Sequence, residues 1–225
     1  GIFIVVFFAS SIKLVKYWYN IQRTNQSLVQ QKLEAELNFL KSQVHPHFLF
    51  NTLNNLYALT LKKSDKSPEV VLKLSEILDY MLYDCNEEYV SLEKELNLIN
   101  NYISLEKLRY GERVEINFEI EGRTSNKSIA PLILFPFIEN SFKHGVSKNP
   151  DDAWISARLI IKSGSIEFNV ENNKPKTAKH QEEVSSGIGL KNVKKRLELL
   201  YAGNYKLNIE ETENKYSILL NINLS

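Results

Sequence analysis

One cysteine in the whole chain, Cys85, excludes an intrachain disulfide and leaves a thiolate zinc site without a second thiol. That usage fits a reducing compartment, with Cys85 as a small buried hydrophobe. An excess of either charge is also missing, since Lys and Arg number 28 and Asp and Glu 27. The balance excludes the basic face expected of a protein that binds nucleic acid directly. Nor is there an apolar run long enough to cross a bilayer, which takes roughly 20 residues. No internal repeat or low-complexity tract interrupts the 225 residues, room enough for two small domains with their own cores.

The chain opens on an unbroken apolar stretch, Ile2 to Ala9, followed closely by Lys13, Lys16 and Arg23. Apolar residues followed by cations are the pattern of a helix leaving the membrane on its cytoplasmic side, so residues 1–19 read as the end of a transmembrane helix. Tyr17, Trp18 and Tyr19 then form the headgroup belt. A secretory signal peptide would carry its basic residues ahead of the apolar run. Residues 20–44 read as a signalling helix, because Leu33, Leu37, Leu40 and Val44 recur at steps of four and three, a short coiled-coil seam. A plain amphipathic helix shows the same spacing.

Helix is expected to continue to Leu61 with a bend at Pro46. A second helix follows Pro68, with Val71, Leu74, Leu78 and Leu82 turned to a core, and a third runs from Ser91 to about Arg109. From Val114 to Ile120 apolar and polar residues alternate at period two, as in a half-buried strand, and Gly111 marks the boundary between a domain at 45–111 and one at 112–225. Further strands are expected at Trp154–Ile161, Ser165–Val170, Tyr205–Glu210 and Tyr216–Ile222, with helices at Pro131–His144 and Leu190–Tyr201. The polar stretch between Asn172 and Gly187 has no periodicity and is long enough for a functional loop. The fold class is α+β.

Three segments could carry chemistry. In His45-Pro46-His47-Phe48-Leu49-Phe50-Asn51, Leu49, Leu53 and Leu56 share one helix face, while His47, Asn51, Asn54 and Ala58 share the other. His47 therefore projects from the core, and a neutral imidazole can attack phosphorus directly. An exposed or capping histidine would look the same from this segment alone. In Phe137-Ile138-Glu139-Asn140-Ser141-Phe142-Lys143-His144-Gly145, Leu134, Phe135, Ile138 and Phe142 pack, and Asn140, Lys143 and His144 cluster opposite. An amide oxygen can ligate Mg²⁺, a lysine can pair with phosphate, and Glu139 can order a metal-bound water or take a proton. In Gly187-Ile188-Gly189, missing side chains allow close approach to a phosphate, and the helix that follows offers free amides.

In order and spacing these segments resemble the sensor histidine kinases of the LytS/YehU type, from about Glu34 to the C-terminus. The acceptor motif there reads N-P-H-F-L-F-N, which implies phosphorylation of His47. The stretch E-N-x-x-K-H-G resembles the N box of the GHKL ATPases, implying Asn140 as Mg²⁺ ligand with Glu139, Lys143 and His144 around metal and phosphates. Gly187 and Gly189 resemble the G box closing over ATP, and the polar stretch before them the ATP lid. Two positions depart from the pattern. His45 stands where the asparagine before the proline is usual, and Val170-Glu171-Asn172-Asn173-Lys174 replaces D-x-G-x-G, with Asn172 in the place of the adenine-binding aspartate. An amide oxygen still accepts from the adenine amino group, without charge, so weaker adenine affinity is expected.

The resemblance implies a dimerisation and phosphoacceptor domain, forming a four-helix bundle across a homodimer, then a GHKL α/β sandwich that binds ATP with Mg²⁺. It also implies phosphotransfer from His47 to an aspartate of a response regulator, the LytTR type being one candidate. The setting implied is the bacterial inner membrane, with this region on its cytoplasmic face and no nucleic acid bound directly. A dimeric scaffold with a decayed nucleotide site is the alternative, and ATP binding separates the two. An ATPase clamp of the Hsp90 or MutL sort would lack the P-H-F-L-F-N helix.

Overall fold

The computed structural model describes residues 1–2, 7, 13–24, 26–28, 46–146, 153–174 and 187–224. The seam from Leu33 to Val44, His45 and residues 175–186 of the polar stretch lie outside the described residues. Residues Gly1–His47 form one compact unit and Phe48–Ser225 another. In the first, the backbone is helical at 13–24 and 26–28, and Tyr17, Trp18 and Tyr19 are exposed. Among the described residues no helix is long and apolar enough to cross a membrane.

Helix α1 is described over Pro46–Leu61, with the backbone helical from the proline onward. Its inward side differs from the expected one. Thr52 is buried and Phe48, Leu56 and Leu59 pack on the core, whereas Leu53 is 44% exposed. Helix α2, Ser67–Leu82, is rotated likewise: Val70, Leu74, Ile77, Tyr80 and Met81 are buried, but Val71 and Leu82 face outward at 51% and 45% exposure. Both helices are apolar on two sides, and periodicity alone does not say which side meets the core.

Helix α3, Leu92–Tyr110, begins where capping chemistry predicts. Ser91 accepts a hydrogen bond from the Lys94 amide, Glu93 and Glu95 occupy the first turn, Lys107 and Arg109 the last, and Gly111 ends it at φ 65°. Strands β1 (Val90–Ser91) and β3 (Ser128–Ile129) form a short antiparallel pair that the sequence does not announce. The main sheet contains β2 (Val114–Glu121), β4 (Ala153–Ile161), β5 (Ser165–Asn173), β6 (Tyr205–Glu211) and β7 (Lys215–Asn223), in the order β2-β4-β5-β7-β6. Strands β2 and β4 are parallel and the other pairs antiparallel. A parallel pair needs a crossover, and this one holds helix α4, Phe135–Ser141, continued by a π turn at Phe142–Val146.

Helix α4 starts four residues later than the expected Pro131, because Leu132 adopts φ 56° and the amides ahead of the helix turn toward Glu95. Helix α5, Gly187–Leu200, starts three residues earlier than the expected Leu190. One face of the sheet carries the core: Ile155, Ala157 and Leu159 on β4, Ile166, Phe168 and Val170 on β5, and Ile218, Leu220 and Ile222 on β7. Phe137 of α4 and Val193 and Leu197 of α5 are buried in the same core, and the Phe137 and Phe168 rings lie 6.4 Å apart. Helices followed by a helix-covered mixed sheet give the α+β class expected.

Candidate active site

Burial on β5 alternates strictly, so Ile166, Phe168, Val170 and Asn172 all point inward. The last of these breaks the apolar series. Asn172 is 1% exposed, and its Nδ2 donates to the Asn173 carbonyl at 2.9 Å. Its Oδ1 is buried with no hydrogen-bond partner among the described residues. A bare buried acceptor costs about 1–3 kcal/mol, which a folded protein rarely leaves uncompensated without a reason.

Gly145, in the π turn after α4, lies directly against this amide. A Cβ at position 145 would stand 2.7 Å from Asn172 Nδ2 and 3.1 Å from its Cβ. The absent side chain thus admits the asparagine, and the end of the E-N-x-x-K-H-G segment meets the strand that replaces D-x-G-x-G. Along that segment Glu139 and Asn140 are half-buried, Ser141 and Phe142 buried, and Lys143 exposed. The expected packed side, Leu134, Phe135, Ile138 and Phe142, is buried, with Phe137 added to it. The backbone is helical at His47, His144, Gly187 and Gly189. Gly187 and Gly189 lie within α5, not in a loop before Leu190.

Two acids that the sequence presents as ordinary helix carboxylates are buried. Glu95 is fully buried and accepts from the Tyr80 hydroxyl and from the amides of Leu132, Leu134 and Phe135 at 2.9, 3.0 and 3.2 Å. It joins α2 and α3 to the turn that starts α4. Burial pushes its carboxyl above the usual range, and the four donors pull it back. The sequence signal was only that Glu95 lies between Leu92 and Ile99 near the buried stripe of α3.

Glu106 is 4% exposed, with Arg109 3.4 Å away. Burial pushes its carboxyl up to about 7, opposed by Arg109 and reinforced by Glu139. Between pH 4.5 and 7 the folded chain keeps a proton that the unfolded chain has released. This stabilisation is fully present below pH 4.5 and is lost as pH rises through 7, to an extent of about 3 kcal/mol at 1.36 kcal/mol per pH unit. Glu106→Gln should flatten that fall, so the wild type minus variant difference in urea-unfolding free energy should shift in the wild type's disfavour from pH 5 to pH 8.

A histidine kinase family model matches residues 35–114. The YwpD protein of Bacillus subtilis (strain 168) is 33% identical over 177 residues, covering 74% of this chain and 63% of that protein. Sensor histidine kinase/phosphatase LytS of Staphylococcus aureus (strain MRSA252) is 30% identical over 196 residues, covering 81% of this chain and 34% of LytS. Sensor protein LytS of Bacillus anthracis is 28% identical over 214 residues, covering 90% and 36%. This chain spans about a third of the length of these LytS proteins. The catalytic domain of histidine kinase ThkA is distantly similar, at 13% identity and a TM-score of 0.47, over 61% of this chain and 98% of that one. With the family model over the acceptor segment and LytS relatives along most of the sequence, the chain belongs to the histidine kinase family, in its LytS type.

Proposed function

We propose that this chain is the ATP-binding and phosphoacceptor part of a two-component sensor kinase, which phosphorylates its own His47. The observation that carries the reading is the buried, unpartnered Oδ1 of Asn172 beside Gly145. It is an acceptor held ready for a donor, and an adenine amino group is such a donor. A decayed site would have no reason to keep an orphan oxygen in an otherwise apolar row.

In this reading Asn172 takes the adenine, Lys143 and His144 meet the phosphates, and the backbone at Gly187 and Gly189, free of side chains, approaches them closely. Asn140 would hold Mg²⁺ through its amide oxygen, and the ion would neutralise charge on the β- and γ-phosphates. Glu139 would take the imidazole proton as His47 attacks the γ-phosphorus in line. The phosphoryl group would then pass to an aspartate of a response regulator, with the LytTR type as the candidate. We assign 45–111 to dimerisation and phosphoacceptance and 112–225 to ATP binding, with 1–19 and 20–44 as membrane exit and signalling helix on the cytoplasmic side of the inner membrane.

Dimerisation is supported by the outward sides of α1 and α2. Phe50, Leu53, Tyr57 and Leu61 recur at helical spacing with exposures of 66%, 44%, 65% and 67%, and Val71, Leu72 and Leu82 stand exposed on α2. Such a stripe on two consecutive helices suits a four-helix bundle made with a second copy. The test is titration calorimetry with ATP and Mg²⁺, followed by incubation with γ-labelled ATP. The wild type should bind ATP and acquire an acid-labile, base-stable label, and Asn172→Leu should bind at least about ten-fold more weakly. A wild type that binds no ATP would sink the proposal.

A further inference from the structure

Helix α1 carries three aromatic residues, and only one is turned inward. Phe50 and Tyr57 are 66% and 65% exposed, while Phe48, the residue after His47, is half-buried and packs its ring 4.8 Å from that of Tyr102 at 40°. Tyr102 is a buried residue of α3, and its ring is shared. Phe135 meets it edge-on at 5.1 Å and Phe142 at 5.4 Å, at 84° and 85°.

These last two rings bracket the residues that matter most on α4. Phe135 is one turn before Glu139, and Phe142 stands two residues past Asn140, so a ring touching both lies under the middle of that segment. Burial raises the Tyr102 hydroxyl's pKa well above its usual value, with the Glu106 and then the Glu139 carboxylate adding to it. One buried ring therefore has the acceptor end of α1 on one side and the Glu139–Asn140 helix on the other. Interlocked edge-on rings resist sliding, because displacement brings like-charged ring edges or faces together.

We propose that Phe48 and Tyr102 are positioning residues for histidine phosphorylation, Tyr102 fixing the Glu139–Asn140 helix and Phe48 seating the acceptor helix on it. This inference rests on the kinase reading above and adds to it the device that sets the reach between acceptor and γ-phosphate. In-line transfer tolerates little misplacement, and a shift of about 1 Å costs up to 100-fold in rate. Leu49, Leu56 and Leu59 anchor α1 by apolar contact, which allows rotation and slip. A ring wedged at 40° against a buried ring that two further rings hold edge-on allows less.

The test uses the full chain, with saturating γ-labelled ATP and Mg²⁺, and compares wild type with Phe48→Leu, Phe48→Tyr and Tyr102→Phe. Phe48→Leu keeps apolar volume and loses the ring. Its maximal labelling rate should fall about ten-fold with the KM for ATP unchanged, whereas Phe48→Tyr and Tyr102→Phe, which keep both rings, should label within about two-fold of wild type. An unchanged or faster rate for Phe48→Leu overturns the inference, as does a change confined to KM or a loss that Phe48→Tyr fails to rescue. Circular dichroism and the KM of each variant separate misplacement from unfolding. Absence of label on the wild type would instead overturn the kinase reading, and this inference with it.

Discussion

Replacing His47 by alanine should reduce the acid-labile label to background while leaving ATP binding within about two-fold of wild type. His47 is the second residue of α1. At 100° per residue its position falls about 140° from the buried Thr52, in the sector of Asn51, Asn54 and Ala58. Circular dichroism of the variant checks that its helix content matches the wild type. Loss of a nucleophile is a loss of chemistry and not of binding, so the kcat falls and the KM for ATP stays. The control is His45→Ala, which should keep most of the label. Scintillation counting of acid- and base-treated samples distinguishes the outcomes. Label persisting on His47→Ala and vanishing on His45→Ala would move the acceptor to the residue before the proline.

What the sequence made legible is what local chemistry dictates. Pro68 in the first turn of α2 and the span of α3, within a residue of the expected Ser91 to Arg109, are decided by groups within a few residues and are found where expected. The strands were equally open to reading, because a sheet covered on one face alternates strictly. That alternation even exposes Asn172 as a polar residue in an inward series. The choice among apolar sides on α1 and α2 was not legible. Leu53, Val71 and Leu82 fit a core stripe as well as their neighbours do, and the packing of α2 on α3 and of Phe48 on Tyr102 decides against them. The early expectation for α4 failed for a related reason, since its start is fixed by a carboxylate about forty residues upstream.

That carboxylate is the subject of the other large expected effect. Glu95→Leu should lower the unfolding free energy by about 3–5 kcal/mol, the range for breaking a buried, hydrogen-bonded charge network. A leucine fills similar space but accepts nothing, so the Tyr80 hydroxyl and the Leu132, Leu134 and Phe135 amides would all be stranded in a dry interior. Glu95→Gln should lose less, because one oxygen can still accept two of the four bonds, while the new amide group points donors at donors. Tyr80→Phe removes one donor and should cost about 1 kcal/mol. Urea-unfolding midpoints rank the three variants, and hydrogen exchange on the same samples locates the damage. Protection at 134–141 should fall more than protection in β5 or β7, since Glu95 holds the start of α4 and the sheet is held by its own ladder. A Glu95→Leu variant within about 0.5 kcal/mol of wild type would show that the start of α4 holds itself. If the expected ranking is found, the Glu139–Asn140 helix is fixed from two directions, by Glu95 at its first turn and by the Tyr102 ring beneath its middle.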